Sequence, residues 1–493
     1  MSSFVILLLI ISYFALLLFV SFITGRKSTD NKAFFTGNRK SPWWIVSIGM
    51  VGASISGVSF VSVPGMVGNI QFTYMQTVIG FFFGYLVIAA VLLPLYYKLN
   101  LTSIYTYLGE RFGKYSYKTG ASFFLISKTI GSAARLYVVA LILQKMVFDH
   151  WNIPFYLTIT FILVLIWIYT FRSGIKSIVW TDSLQTVVMV IALLMMVIDL
   201  IIKTKTGLAD LTGLLWRSDM SRVFVFDDWV SKQNFFKQFF SGIFIVIVMT
   251  GLDQDMMQKN LSCKSLPEAQ KNMKWYGFAF IPVNLLFLFL GFLILVFAAQ
   301  NGIQLPSKGD EILPFFAVNF FNNTILFFFI IGIIAAAFST ADSALTALTT
   351  SFYVDILGMK DEEAKSKKIS AKRIRMLIHG GIALLFIVII MIFKQLNNKS
   401  VIDAIYIIVS YTYGPLLGLY SFGLFTKLKP IDRYVPLIAI LSPLLCYGID
   451  SLTQSYFNYA FGYELLLLNG GLTFTGLFIT SKYGNKISRI RYQ

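Results

Sequence analysis

The sequence predicts an all-α integral membrane protein with about thirteen transmembrane helices, on the evidence of its composition and of its long apolar segments. Hydrophobic residues make up 57% of the 493 residues, charged residues make up only 13%, and the mean hydropathy is +0.74. So few charges cannot cover the surface of a soluble protein of this length. Lipid must therefore surround most of the chain.

Thirteen segments are long and apolar enough to be transmembrane helices, since a bilayer core about 30 Å thick requires about 20 apolar residues. They are residues 4–24, 43–66, 73–97, 119–147, 155–171, 178–202, 238–257, 276–299, 324–356, 376–394, 402–426, 434–450 and 463–481. The first is longer than a signal-peptide core and is followed by basic residues instead of a cleavage site. We therefore interpret it as a retained helix.

The positions of the basic residues orient the chain. If the N-terminus is outside and the C-terminus is cytoplasmic, the cytoplasmic loops and tail contain 29 of the 41 Lys and Arg residues, as the positive-inside rule requires. Those loops are 25–42, 98–118, 172–177, 258–275, 357–375 and 427–433. Their basic residues account for the net charge of +18 without nucleic acid as a partner. We expect a multi-pass protein of the cell inner (plasma) membrane, in contact with the lipid bilayer; no obligatory protein partner is evident.

Residues suited to catalysis are scarce. Cys263 falls in a basic loop and Cys446 in an apolar segment, so a disulfide is not expected and two cysteines are too few for a metal cluster. The two histidines, His150 and His379, lie at predicted helix ends. Metal-dependent or Ser-His catalysis has almost no candidate residues, and we do not expect an enzyme.

A run of small and polar residues interrupts the second predicted helix. Residues 51–60 contain two glycines and three serines in an otherwise apolar segment. Backbone groups freed from a helix in lipid must be satisfied by protein, water or an ion, and transporters form binding sites from such unwound backbone. The alternative is a packing face of small residues. Both interpretations remain open at this point.

The predicted helix 324–356 has a polar stripe. Helical spacing aligns Ala336, Ser339 and Ser343, with Thr340 and Asp342 at the edges. Hard cations prefer oxygen ligands of this kind, whereas serines in helices often bond only to their own backbone. An intramembrane carboxylate is costly, so Asp342 is a functional candidate.

Two more charged residues lie within predicted helices. Asp182 lies about one turn into its helix, where either the helix dipole or a ligand role explains it. Arg135 lies in the middle of a helix, seven residues after Lys128, too far from either interface to reach water easily. A buried guanidinium needs an anion, which is either an internal Asp or the carboxylate of a bound molecule.

Together these features resemble the sodium:solute symporter family. The resemblance covers nearly the whole chain and rests on five motifs that occur in the family's order. They are Trp43-Trp44, Ser177-Ile-Val-Trp-Thr-Asp-Ser-Leu-Gln185, Gly251-Leu-Asp-Gln-Asp-Met-Met-Gln-Lys259 with Lys264-Ser265, Ala336-Ala-Phe-Ser-Thr-Ala-Asp-Ser343 and Ser410-Tyr-Thr-Tyr-Gly-Pro415. The combination of five is specific, although each motif alone is weak.

The resemblance implies a single transporter domain over residues 1–493, with a leucine-transporter-like architecture. An extra N-terminal helix (4–24) would precede two inverted five-helix repeats (43–202 and 238–426). Two additional C-terminal helices (434–481) would follow them. Each repeat would open with a broken helix, the second of them near Thr250 and Gly251.

The resemblance also implies Na+ as the coupling ion. The main sodium site would use the backbone carbonyls of Gly52, Ile55 and Ala336 and the hydroxyls of Ser339 and Thr340. A second sodium site, found in some members, would use Asp182, Ser339, Asp342 and Ser343. The family's sialic acid transporters have a serine at the position of Asp342. This extra carboxylate could strengthen the second site, bind a proton or neutralise Arg135.

The substrate implied by the resemblance is a small organic solute that carries a carboxylate, with sialic acid as the first choice. Arg135 would bind the carboxylate, and Ser54, Ser56, Ser59 and Gln76 would bind hydroxyl or amide groups. The function would be sodium-coupled import by alternating access. The alternatives are a proton-coupled carrier of a sugar or amino acid and a transporter-like membrane sensor.

Overall fold

The computed structural model describes residues 2–25, 35, 37–170, 174–359, 368–396 and 401–491, and this part of the chain is almost entirely helical. The helices are α1 (Ser3–Gly25), α2 (Trp43–Ser54), α3 (Gly57–Ile70), α4 (Tyr74–Lys98), α5 (Thr106–Arg111), α6 (Lys114–Trp151), α7 (Phe155–Thr170), α8 (Gly174–Thr204), α9 (Leu208–Arg217), α10 (Phe235–Gly251), α11 (Gln254–Leu261), α12 (Leu266–Gln300), α13 (Gly309–Phe320), α14 (Asn323–Ile356), α15 (Lys368–Leu396), α16 (Val401–Phe425), α17 (Val435–Phe457) and α18 (Leu465–Arg491).

In the described part of the chain, each of the thirteen predicted segments is mostly helical. Within the described ranges, nine helices are long and apolar enough to cross a membrane, and two bent helix pairs raise the number of candidate spans to eleven. Helix α7 is apolar but shorter. The all-α membrane fold is therefore confirmed, whereas thirteen crossings stays a prediction.

Two of the spans are broken, as the sequence predicts. Helices α2 and α3 meet at an angle of 60°, and α10 and α11 meet at 66°. At the first break, the hydroxyl of Ser56 caps α3 by accepting a hydrogen bond from the Ser59 amide. At the second, the Asp253 carboxylate caps α11 by accepting hydrogen bonds from the Asp255 and Met256 amides. Each new helix therefore begins at a polar cap residue, which satisfies amides that the break exposes.

The broken helices lie at the centre of the bundle. Helix α8 packs between α2 and α14, while α4 packs against α10 and α16 against α18. Most of α14 is buried, whereas α15 and α17 expose large apolar side chains such as Leu377 and Leu444. Such surfaces on an all-helical membrane protein face lipid. The boundaries of the two inverted repeats stay a prediction.

Most of the predicted loop 258–275 is helical, while its cytoplasmic location stays a prediction. Helix α11 continues to Leu261, α12 begins at Leu266, and Lys259 is only 1% exposed. The apolar segment in the sequence ends at residue 257, so Lys259 was predicted to lie in the loop. In the folded chain, carboxylates from distant helices compensate its charge.

Candidate functional site

The break between α2 and α3 frees two backbone carbonyls. In a continuous helix the amide of Ser56 would bond to the Gly52 carbonyl, and the amide of Ser59 would bond to the Ile55 carbonyl. Instead, the Ser56 amide donates to the carbonyl of Ser54 at 3.1 Å, and the Ser59 amide donates to the Ser56 hydroxyl. The carbonyls of Gly52 and Ile55 are two of the three that the family resemblance assigned to sodium.

The polar stripe of α14 lies beside this break. A Cβ atom built on Gly57 would lie 3.8 Å from the carbonyl oxygen of Ile333, one turn before Ala336. Further along the stripe, the Thr340 hydroxyl donates a hydrogen bond to the Ala336 carbonyl at 3.0 Å. Ser339 and Thr340 are both buried. The structure thus brings the predicted ligands of the main site to neighbouring turns of α2, α3 and α14.

One turn of α8 connects the two sides of this site. On one side, the Thr186 hydroxyl approaches Gly52 so closely that a Cβ atom there would lie 2.0 Å from Thr186 Oγ1. On the other side, Asp182 accepts a hydrogen bond from the Ser339 hydroxyl at 2.9 Å. Since Thr186 also donates to the Asp182 carbonyl at 2.7 Å, this turn holds both halves of the site at a fixed spacing.

The carboxylate of Asp182 is fully buried and has several partners. Its Oδ1 accepts from Ser339, its Oδ2 accepts from the Ser343 hydroxyl at 3.0 Å, and the Lys259 ammonium lies 2.8 Å from Oδ2. Asp342 has other hydrogen-bond partners. It accepts from the Tyr169 hydroxyl at 2.8 Å and from the Ser343 amide at 2.5 Å, and it does not pair with Arg135.

A series of buried charges of alternating sign connects Asp182 to Asp253. Lys259 also lies 3.6 Å from Asp255, which lies 2.8 Å from Lys128, and Lys128 lies 3.1 Å from Asp253. Burial of these groups is tolerable because each charge faces an opposite one. The carboxylate that satisfies Lys128 therefore comes from α11 and its cap, and not from a bound molecule.

A cavity opens at the end of this series of charges, between the first break and α6. It is lined by Ser54, Ser56 and Ser59 from the break, by Lys128, Ser132 and Arg135 from α6, by Met249, Thr250 and Asp253 from α10 and the second break, and by Tyr406 and Tyr413 from α16. Phe81, Tyr85 and Phe280 add aromatic walls. Polar groups from both broken spans therefore line one cavity.

Arg135 is the cation of this cavity that remains unpaired. Within the described chain, the half-buried guanidinium of Arg135 makes no hydrogen bond or ion pair. The Ser132 hydroxyl, one helical turn away, is buried and also has no hydrogen-bond partner among the described residues. The neighbouring Tyr413 hydroxyl donates to Asp253 at 2.7 Å. A free guanidinium beside a free hydroxyl can bind a carboxylate.

The structure places Gln76 away from this cavity. Its side-chain amide donates to the carbonyls of Thr73 and Gln233 at 3.2 and 2.9 Å, and its oxygen accepts from the Val225 amide at 3.0 Å. Gln76 is fully buried, and these contacts attach residues 225–233, which lie between α9 and α10, to α4. Among the substrate-binding residues predicted from sequence, the three serines and Arg135 meet, and Gln76 does not join them.

The comparison with protein families decides the identity of the chain. The model of the sodium:solute symporter family matches residues 34–429, which is most of the sequence. The chain belongs to this family. The symporter is thus a sodium-coupled multi-pass membrane carrier and not an enzyme, as its sequence predicted.

The relatives of the symporter include carriers of organic acids. It is 24% identical to the sodium/sialic acid symporter NanT of Aliivibrio fischeri, over 83% of its own chain and 80% of that protein. It is 25% identical to sodium-coupled monocarboxylate transporter 2 of Homo sapiens, over 83% and 67%. The sodium/sialic acid symporter SiaT of Proteus mirabilis is 23% identical, over 89% and 88%.

Solved structures confirm the fold of the symporter. The substrate-bound outward-open state of a Na+-coupled sialic acid symporter has a TM-score of 0.82 with it at 21% identity, over 97% of the symporter and 98% of that chain. Mhp1, a nucleobase-cation-symport-1 family transporter, has a TM-score of 0.57 at 13% identity, over 92% and 95%. Both likenesses concern the fold and support the leucine-transporter-like architecture.

Several site residues of the symporter were not assigned from its sequence. Lys259 and Asp253 belong to a motif that carried the family resemblance, but no spacing rule connects them to Asp182 or Lys128. Ser132 precedes Arg135 by three residues, about one helical turn, and this spacing alone indicates that both side chains lie on the same face of α6. Thr186 follows Asp182 by four residues in the same way.

Proposed function

We propose that the symporter imports a small carboxylate-bearing solute, with one Na+ bound where the first broken span meets α14. The observation that carries this proposal is Arg135, a guanidinium without a protein anion in a cavity whose other cation, Lys128, is already neutralised. An Arg fork suits bidentate binding of a carboxylate better than that of a sugar hydroxyl.

The main sodium site in this proposal consists of neutral oxygens. The carbonyls of Gly52 and Ile55 are available because the break diverts their helical donors. The Ala336 carbonyl and the hydroxyls of Ser339 and Thr340 complete the set. Oxygen ligands of this type suit a hard cation, and a monovalent ion is compatible with a site that has no carboxylate of its own.

The solute in this proposal has hydroxyl or amide groups besides its carboxylate. Ser54, Ser56 and Ser59 line the cavity opposite α6, and Ser132 adds a buried hydroxyl beside Arg135. The sialic acid symporters and the monocarboxylate transporter among the relatives share a carboxylate in what their names say they carry. The serines favour the hydroxyl-rich acid, so sialic acid is the first choice.

Coupling would follow from the position of the sodium site. Na+ entering from outside would bind oxygens of both the broken span and α14, and would order the break whose serines line the solute cavity. Inside, a low Na+ concentration and a negative potential favour release, with each charge moved worth about 2.3 kcal/mol per 100 mV. Since coupling is reciprocal, the solute must tighten Na+ binding by the same factor.

The proposed orientation has the N-terminus outside and the C-terminus in the cytoplasm of the cell. It is supported by the excess of Lys and Arg in the loops assigned to the cytoplasm. The plasma membrane is the proposed location, because it maintains the sodium gradient that such import requires.

Uptake by the purified full-length protein in proteoliposomes tests the function. The panel is N-acetylneuraminate, pyruvate, lactate, proline and galactose, with Na+ replaced by K+ at constant pH. We expect an inward Na+ gradient to drive accumulation of N-acetylneuraminate, or of a smaller carboxylate, and not of galactose. Equal accumulation in Na+-free medium would contradict the sodium coupling and indicate a proton-driven carrier. If galactose were the only compound of the panel to be taken up, the proposed binding of a carboxylate by Arg135 would be contradicted.

A further inference from the structure

Lys259 lies where the second sodium site was predicted. Its ammonium is 2.8 Å from Asp182 Oδ2 and 3.6 Å from Asp255 Oδ1, and both Lys259 and Asp182 are at most 1% exposed. The lysine reaches this position because α11 restarts after the second break and runs along α8 and α14. A positive charge therefore already lies against the carboxylate that would bind the ion.

The carboxylate of Asp182 has little room left to bind a further cation. Its two oxygens accept hydrogen bonds from Ser339 and Ser343, at 2.9 and 3.0 Å, besides facing Lys259. Together with Asp342, these are the residues predicted for the second sodium site. An ion on the same carboxylate would lie close to the ammonium, and two like charges in a water-poor interior repel strongly.

The proposed main sodium site differs from Asp182 in its charge. Its ligands are neutral carbonyl and hydroxyl oxygens, and its positive charge comes from the bound ion. At Asp182 the protein itself supplies that cation. The two positions share Ser339, whose hydroxyl bonds to Asp182, but they differ in the cation that the protein itself provides, although the sequence alone presented both as sodium sites.

We propose that the Lys259 ammonium is the resident cation at Asp182, Ser339 and Ser343, so that this symporter couples one sodium ion, and not two, to each solute molecule. The inference rests on the proposed function. Asp342, which bonds to Tyr169 and the Ser343 amide, then takes no part in sodium binding.

Direct counting of bound sodium tests this proposal without knowledge of the solute. Equilibrium binding of ²²Na+ to the purified full-length protein, at constant ionic strength in choline, gives the number of ions per protein and the Hill coefficient. We expect one ion and a Hill coefficient near 1 for the wild type. Lys259→Met, which keeps the length of the side chain but removes the charge, should bind a second ion and raise the Hill coefficient above 1.

The matched control is Lys259→Arg, which keeps the charge and should bind one ion. Two ions on the wild type would overturn the proposal, as would one ion on a folded Lys259→Met protein. If Lys259→Met fails to fold, the wild-type count still decides. Absence of ²²Na+ binding together with sodium-independent uptake would contradict the proposed function itself, whereas two bound ions with sodium-driven uptake would contradict only the single-ion inference.

Discussion

Lys128 and Asp253 form a buried ion pair with 3.1 Å between Nζ and Oδ2, although 125 residues separate them in the chain. The pair connects α6, which carries Arg135, to the cap of α11. Asp255 lies on the other side of Lys128 at 2.8 Å. The charge of Lys128 is thereby neutralised by the second broken span.

Replacement of Lys128 should destabilise the symporter. Lys128→Met leaves Asp253 and Asp255 partly uncompensated, and the loss of one partner of a buried pair costs about 3–5 kcal/mol. We expect a clear fall in the melting temperature in detergent and loss of transport. Arg222→Met, which breaks the exposed pair with Asp227, should lower the melting temperature much less, because exposed ion pairs contribute little. An unchanged melting temperature for Lys128→Met would show that the pair contributes nothing.

Arg135 should determine the affinity for the carboxylate. Arg135→Ala should raise the KM for the transported acid about 30-fold to several thousand-fold, since an unpaired buried charge costs about 2–5 kcal/mol. The amide derivative of the same acid should bind more weakly than the acid to the wild type but equally to Arg135→Ala. Arg222→Ala, at an exposed position between α9 and α10, is the control. Equal KM values for Arg135→Ala and the wild type would remove Arg135 from the substrate site.

The Thr340 hydroxyl should contribute to sodium affinity. Thr340→Val keeps the shape of the side chain but removes the oxygen, and we expect the half-saturating Na+ concentration for uptake to rise about 10-fold or more, since contacts to charged groups are worth about 1.5–3 kcal/mol. Thr340→Ser retains the hydroxyl and should stay within about threefold of the wild type. If the half-saturating Na+ concentration were the same for Thr340→Val and Thr340→Ser, the Thr340 hydroxyl would not be a sodium ligand.

Gly52 should tolerate no side chain while Thr186 is present. In Gly52→Ala the new Cβ atom would lie 2.0 Å from Thr186 Oγ1, so we expect overpacking to destabilise the protein by about 1–3 kcal/mol. Adding Thr186→Ala should recover part of the loss. Gly213→Ala in α9, where no atom lies within 4 Å, is the control and should be neutral or slightly stabilising. The measurement is thermal unfolding of the purified variants.

Gln76 should hold residues 225–233 in place and should not bind the solute. Gln76→Ala removes its bonds to Val225 and Gln233, so limited proteolysis near these residues should become faster. The KM for the transported acid should change less than about threefold. Asn319→Ala, which removes only a bond within its own helix, is the control. A large rise in KM without faster proteolysis would return Gln76 to the substrate site.

The sequence determined the fold class, the broken first span and the family of the symporter, because these depend on local patterns. Twenty-residue apolar runs, glycines and serines at a break, and a stripe of oxygens on one helix face are all visible within a single segment. The same local reasoning found Arg135, Asp182 and Asp342 as charges that a membrane helix does not contain without a function.

Only the tertiary structure decided which charges meet. Asp182 faces Lys259 and Asp253 faces Lys128, whereas Arg135 faces no carboxylate among the described residues. The two pairs join residues on different helices. The free energy of a buried charge depends on the groups opposite to it in space, and sequence separation does not encode that distance. For the same reason Lys259 was predicted in a loop and Gln76 in the substrate site, whereas packing places the first beside a carboxylate and the second against residues 225–233.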